Sequence, residues 1–295
     1  MVFTRTKVTQ ANLDRLSVRS LWTRPSSQGN RRGMTIASLL SPITDQPGPV
    51  RLEHADDWMQ GRTLYGGASA LVAYTMAKRA FADLPPLRAA QVGFVAPVGK
   101  DIELSAEIVR QGRNVTQVRS EIRSEGQVAL TAFWLFANGR DPNAVRPADE
   151  PSQWPGPAEA NAVAMEGQGP SFIQNNFEVR FGQAKGEDHG AIVRRWARLT
   201  EDHDLDPVSK LVLMGDVMPP GAMRIMQRMA PISSINWSFN VLDTETQSPG
   251  GWYLAENASQ HADLGYSSER LRMWDANGKQ VLEGLQCVAI FGKAA

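Results

Sequence analysis

Cysteine and histidine are scarce in this sequence. Of its 295 residues only Cys287 is a cysteine, so an internal disulfide is excluded and a reducing, cytoplasmic setting is expected. Cys287 opens the apolar run Cys287-Val288-Ala289-Ile290-Phe291, where a buried, inert thiol is expected rather than a nucleophile. The four histidines (His54, His189, His203, His261) stand at no metal-ligand spacing, so the sequence makes no case for a metal. No apolar stretch approaches the ~18 residues that a membrane span requires. The formal net charge is zero, which leaves no long-range field to draw nucleic acid or an anionic membrane. Any anionic ligand must then be held by local basic residues. Gly-x-Ser-x-Gly, GxGxxG and P-loop patterns are also missing, so nothing suggests a serine-hydrolase elbow or a nucleotide cofactor.

What is present is an ordinary globular composition, 42% apolar and 21% charged, in a chain long enough for two modest domains or one large one. Residues 1–33 stand apart. They carry Arg5, Lys7, Arg15, Arg19, Arg24, Arg31 and Arg32 against the single acid Asp14. With no sustained apolar stretch this is not a secretory signal. A disordered basic tail, or a start at Met34, is expected ahead of an organelle-targeting segment, because clean periodicity begins only after Met34.

The most informative feature is a pattern that occurs twice. The first copy has Leu87 to Val98, then Gly112-Arg113-Asn114-Val115-Thr116, a turn at Glu125-Gly126, and an apolar run to Ala137. The second has Ile232-Ser233-Ser234-Ile235-Asn236-Trp237-Ser238-Phe239, then Leu264-Gly265-Tyr266, a turn at Ala276-Asn277-Gly278, and a last apolar run to Phe291. Each copy sets a glycine-containing turn between two long strands, as an antiparallel hairpin requires. From Asn114 the residues alternate, Asn114, Thr116, Val118, Ser120 and Ile122 on one face and Val115, Gln117, Arg119, Glu121 and Arg123 on the other, so one buried and one wet face are expected. Val128 to Phe136 is apolar on both faces and is expected to be central, covered on both sides.

One helix precedes the long strands of each copy. The first starts at Gly66-Gly67 and runs to about Ala82, rich in alanine, which suits close enclosure by a curved sheet. The second has Asp206 as N-cap and Pro207 at its first position, and runs from Val208 to about Met218, where Pro219-Pro220 stops it. Residues 140–172 are rich in Pro, Ala, Gly and acid and are expected to form a surface linker. Glu201-Asp202-His203-Asp204 is expected to be an acidic loop ahead of the second helix.

Trp58-Met59-Gln60-Gly61-Arg62-Thr63-Leu64-Tyr65-Gly66-Gly67, Phe94 with Pro97-Val98, Gly112 to Thr116, and the closing Gly284-Leu285-Gln286 together resemble bacterial type II acyl-CoA thioesterases. The resemblance runs from about Met34 to Phe291 and rests on the order and spacing of these pieces. It implies an α+β double hot-dog fold: a basic tail over 1–33, an N-terminal repeat over 34–139, the linker, and a C-terminal repeat over 173–295. It implies hydrolysis of acyl-CoA to free acid and CoA, and a homo-oligomer, a dimer or larger. No cofactor, nucleic acid or membrane partner is expected.

By position alone Asp216 reads as a solvent-facing residue near a helix end. The resemblance makes it the catalytic base, on the helix face it shares with Val212 and Leu213, where burial raises a carboxylate's pKa toward neutrality. It also matches Ser234 to the hydroxyl that helps hold the water, where the family usually has threonine; a register shift of one would put Ser233 there instead. Gln286 matches the family's last-strand glutamine, and an amide in that apolar run needs partners. Gly66 and Gly67 are the candidate oxyanion site, competing with a plain helix-entry turn. The first helix has no carboxylate from Gly66 through Phe81, so one site per chain is expected between the copies, with Arg110 and Arg113 as possible CoA contacts. Two other readings stay open: a hot-dog dehydratase or hydratase, weakened because no histidine lies on either helix, and a non-catalytic acyl-CoA or lipid binder.

Overall fold

The computed structural model describes residues 35–151, 155–163, 169–183, 190–201 and 205–292. The basic segment 1–33 and most of the 201–204 acidic cluster lie outside the described residues.

The chain builds the same arrangement twice. After a short helix α1 (Ile36–Leu40) come β1 (Gly48–Arg51), a small hairpin β2 (Met59–Gln60) and β3 (Thr63–Leu64), and helix α2 (Gly66–Ala80). Strands β4 (Leu87–Phe94), β5 (Asp101–Gln111), β6 (Val115–Ser124) and β7 (Gln127–Ala137) complete the first half. The second half runs through α3 (Ser171–Asn176), β8 (Phe177–Phe181), β9 (Ile192–Leu199), α4 (Pro207–Met214), β10 (Ile232–Val241), β11 (Tyr253–Asp263), β12 (Tyr266–Asp275) and β13 (Gln280–Ile290). One sheet of 11 strands contains all but β2 and β3, in the order β1-β5-β6-β7-β4-β10-β13-β12-β11-β9-β8. Its two halves join where β4 pairs antiparallel with β10, Val92 opposite Trp237. This is the α+β double hot-dog architecture.

The alternation in β6 holds: Thr116, Val118, Ser120 and Ile122 are buried while Gln117 and Arg119 are exposed. The turns hold as well, with positive φ at both Glu125 (52°) and Gly126 (76°), the geometry that suits the twist of a tight hairpin. In β7 the expectation is corrected. The strand is central, but it is covered on one face only, and Phe133 is 44% exposed on the other. An apolar run on both faces therefore did not require cover on both faces.

Helix α2 is buried almost all round, from Gly67 through Ala77. Small alanines at 68, 70, 73 and 77 let the sheet come close, and Tyr74 packs on Trp134 with ring centroids 5.2 Å apart. Helix α4 lies against α2 and runs the opposite way. Lys78, near the end of α2, donates to Asp206 at the start of α4 at 2.9 Å. At the other end a Cβ on Gly67, near the start of α2, would stand 2.2 Å from the carbonyl of Leu213. Antiparallel packing thus places the N-terminus of α2 beside the C-terminus of α4. Between the halves, chain from the expected linker crosses the sheet of the second half: Trp196 Nε1 donates to Pro155 O at 2.9 Å and Trp274 Nε1 to Asp149 O at 3.1 Å.

Candidate functional site

Helix α4 starts as its sequence dictates. The Asp206 carboxylate accepts from Ser209 N at 3.0 Å, and Pro207 takes the first helical position. It ends four residues before Met218, at Met214, so the expected boundary is corrected. Gly215 is the C-cap, and a Cβ there would stand 2.5 Å from the Trp237 ring. The chain can leave the helix over Trp237 only because residue 215 has no side chain. Asp216 therefore stands just past the helix and not on a helical face with Val212 and Leu213.

That exit turns Asp216 inward. The residue is half-buried, yet its carboxylate is enclosed by protein. Gln286, 3% exposed on β13, donates through Nε2 to Asp216 Oδ1 at 2.8 Å. A Cβ on Gly66 would lie 2.2 Å from the other carboxylate oxygen, Oδ2, and 3.2 Å from the Phe94 ring. A side chain at 66 would therefore push the carboxylate out of this position. Burial, opposed in part by the Gln286 hydrogen bond, leaves the Asp216 carboxyl pushed up to about 7. The carboxylate thus titrates near neutral pH, between an amide donor and the start of α2.

The start of α2 has no side-chain cap: the N-cap residue is Tyr65, whose ring makes no capping hydrogen bond. The N–H groups of Gly66, Gly67 and Ala68 point out of the first turn, where helix geometry gives them no acceptor. The Tyr65 hydroxyl is buried without a partner among the described residues, and it lies 2.1 Å from where a Gly67 Cβ would be. Burial, with Asp216 nearby, drives the Tyr65 hydroxyl well above its usual pKa, so it stays protonated.

On β10, Ser234 pairs with Val288, two residues along β13 from Gln286. Side chains of directly paired residues share a face, so Ser234 is on the inner face with Val288 and Gln286. Ser233 pairs with Ala289 and points to the other side. A bulge between Ser234 and Asn236 sets this register. The Ser234 hydroxyl makes no hydrogen bond to Asp216 or Gln286. The structure therefore joins Asp216, Gln286 and Gly66 directly, and puts Ser234 one strand pair away. Arg110 and Arg113 are exposed on the first half, and Cys287 is only partly buried. Among the described residues no group of three or more His, Cys, Asp or Glu could hold a metal, and no helix is long and apolar enough to cross a membrane.

Two family models match the sequence: the acyl-CoA thioesterase N-terminal domain over residues 54–137 and the acyl-CoA thioesterase C-terminal domain over residues 142–290. The chain belongs to the acyl-CoA thioesterase family. As a member it is a thioester hydrolase. Solved structures agree on the fold. A hot-dog protein of unknown function from Alicyclobacillus acidocaldarius is 18% identical with a TM-score of 0.77, over 88% of this chain and 98% of that one. The tesB protein of Mycobacterium avium subsp. paratuberculosis is 15% identical with a TM-score of 0.69, over 87% and 98%. The acyl-CoA thioesterase II TesB2 of Mycobacterium marinum is 14% identical with a TM-score of 0.66, over 88% and 99%. A comparison with curated proteins gives no match.

Sequence reasoning missed three polar residues around this candidate site or on the segment beyond it. Tyr65 was read only as part of a motif, and Asn257 and Glu269 were not singled out. For Glu269 a signal existed. It alternates with Ser267, Leu271 and Met273, which places a carboxylate on the buried face of β12.

Proposed function

We propose that this thioesterase hydrolyses acyl-CoA with a water activated by Asp216, held by Gln286 and Ser234, at one site between its two repeats (34–139 and 173–295, joined by 140–172). The observation that carries the reading is the 2.8 Å hydrogen bond from Gln286 to an enclosed Asp216 carboxylate that abuts the start of α2. A carboxyl with a pKa of about 7 is largely ionised just above neutrality yet basic enough to take a proton from water.

The chemistry asks little more of the protein. Water attacks the thioester carbonyl carbon while its proton passes to Asp216. The tetrahedral oxyanion is met by backbone N–H groups at Gly66 and Gly67, where the uncapped helix start favours negative charge. As the carbonyl re-forms, the C–S bond breaks and the thiolate of CoA leaves. A thiol pKa near the ~8.5 of cysteine makes that departure easy with little acid assistance. Ser234 and Gln286 act by orienting the water, which lowers the entropic part of the barrier.

The test is thiol release from acyl-CoAs of C2 to C18 and aryl type, with wild type beside Asp216→Asn. Loss of turnover in a variant that still binds acyl-CoA supports the reading. Undiminished turnover in Asp216→Asn removes Asp216 as the base.

A further inference from the structure

The segment that leaves α4 with Asp216 is gripped by the sheet at two further places. Asn257 Nδ2 on β11 donates to Met218 O at 2.9 Å and to Pro219 O at 3.2 Å. Glu269 on β12 has no exposed surface. Its Oε2 accepts from Gly221 N at 2.8 Å, and its Oε1 accepts from Ala222 N at 3.1 Å and from the Ser267 hydroxyl at 2.6 Å. Ser267 Oγ is in turn 2.8 Å from Ser259 Oγ. Backbone N–H groups and a hydroxyl thus satisfy this buried carboxyl group, a costly arrangement where an apolar side chain could pack.

The placement relates this cost to the site. Glu269 and Gln286 are direct cross-strand partners in the β12–β13 ladder, on the same inner face. Gln286 holds Asp216 and Glu269 holds Gly221 and Ala222, so adjacent positions on two paired strands hold both ends of the 216–222 segment. The turn at Gly221 is seated without slack: a Cβ there would meet Ala191 O at 2.0 Å and Ser259 N at 2.7 Å.

We propose that Glu269 is a positioning residue for hydrolysis, anchoring Gly221 and Ala222 to β12 so that the Asp216 carboxylate stays on Gln286 in productive geometry. The proposal rests on Asp216 being the base. Glu269 touches neither substrate nor water in this role; it acts through the backbone.

The experiment compares steady-state kinetics of Glu269→Gln, Glu269→Ala and Ser267→Ala, each also built on Asp216→Asn. Glu269→Gln keeps the shape and one acceptor oxygen, and Ser267→Ala keeps both backbone contacts, so one of them serves if Glu269→Ala does not fold. The expected kcat falls about a few-fold for Ser267→Ala, about 10-fold for Glu269→Gln and more for Glu269→Ala, with KM within about twofold. On the Asp216→Asn background the same changes leave the residual rate unmoved. A merely structural role would lower the rate by the same factor on both backgrounds, and that result, or wild-type kcat in the folded single variants, overturns the proposal. Failure of the Asp216 reading would show separately, as full activity in Asp216→Asn alone.

Discussion

The amide of Gln286 on the last strand reaches the carboxylate of Asp216 just past the second helix, at 2.8 Å and 70 residues away in sequence. The bond ties together two elements that could drift apart, and it lowers a proton affinity that burial raises. Replacing Gln286 by Leu removes a donor that favours the ionised form, so the pKa of Asp216 moves upward from about 7. The acid limb of the kcat–pH profile should then shift to higher pH, with a lower plateau. A limb that stays in place would separate Asp216 from the rate.

Asp216→Asn should reduce kcat on the best acyl-CoA by about 10²–10⁴-fold, the usual contribution of a positioned general base. KM should change little, since in the proposed mechanism the side chain meets the water and not the body of the substrate. Thiol release in steady state measures both.

The same carboxyl should cost stability. Its folded pKa of about 7 lies above the ordinary aspartate value of 3.8, so the folded protein keeps a proton that the unfolded chain has released. Stability attributable to this group therefore falls as pH rises between those values, and the full cost is present above about 7. Asp216→Asn should be more stable than wild type at pH 8, by on the order of a few kcal/mol, and nearly equal to it at pH 4. Denaturant melts at the two pH values test this; an equal difference at both would refute it.

Gly66→Ala and Gly67→Ala should fail differently. The new methyl at 66 meets the Asp216 carboxylate, a side chain that can shift, so activity should fall by about tenfold or more while the fold survives. The methyl at 67 meets the Leu213 carbonyl of α4 as well as the Tyr65 hydroxyl, and a backbone group cannot step aside cheaply. A stability loss of about 1–3 kcal/mol is expected there. Melting and activity measured side by side distinguish the two.

Ser234→Ala should lower kcat by about tenfold and Ser233→Ala should leave it unchanged, because only residue 234 shares the inner face with Gln286. The reverse result would mean that the bulge before Asn236 sits elsewhere in solution.

Much of this protein was legible in one dimension. Alternation along β6, glycine turns in each copy and an alanine-rich helix are local consequences of strand pleat, turn sterics and close packing. Their repetition was enough to imply two like halves. Asp206 and Pro207 marked the start of α4 for the same local reasons, whereas its end did not follow from the Pro219-Pro220 stop. The helix ends at Met214 with Gly215 as its C-cap, and the need for glycine there comes from Trp237, on a strand later in the chain. Nor could a periodic pattern tell whether Phe133 would be covered, since that depends on what else the chain lays over the sheet. Asp216 could be singled out only by resemblance, because its position alone favoured a solvent-facing helix end. Its enclosure, its bond to Gln286 and the grip of Asn257 and Glu269 on the segment beyond it join residues from distant parts of the chain. Those relations exist only once β10 has paired with β4 and the two helices have packed antiparallel, since burial and proton affinity belong to the assembled surroundings and not to the residue.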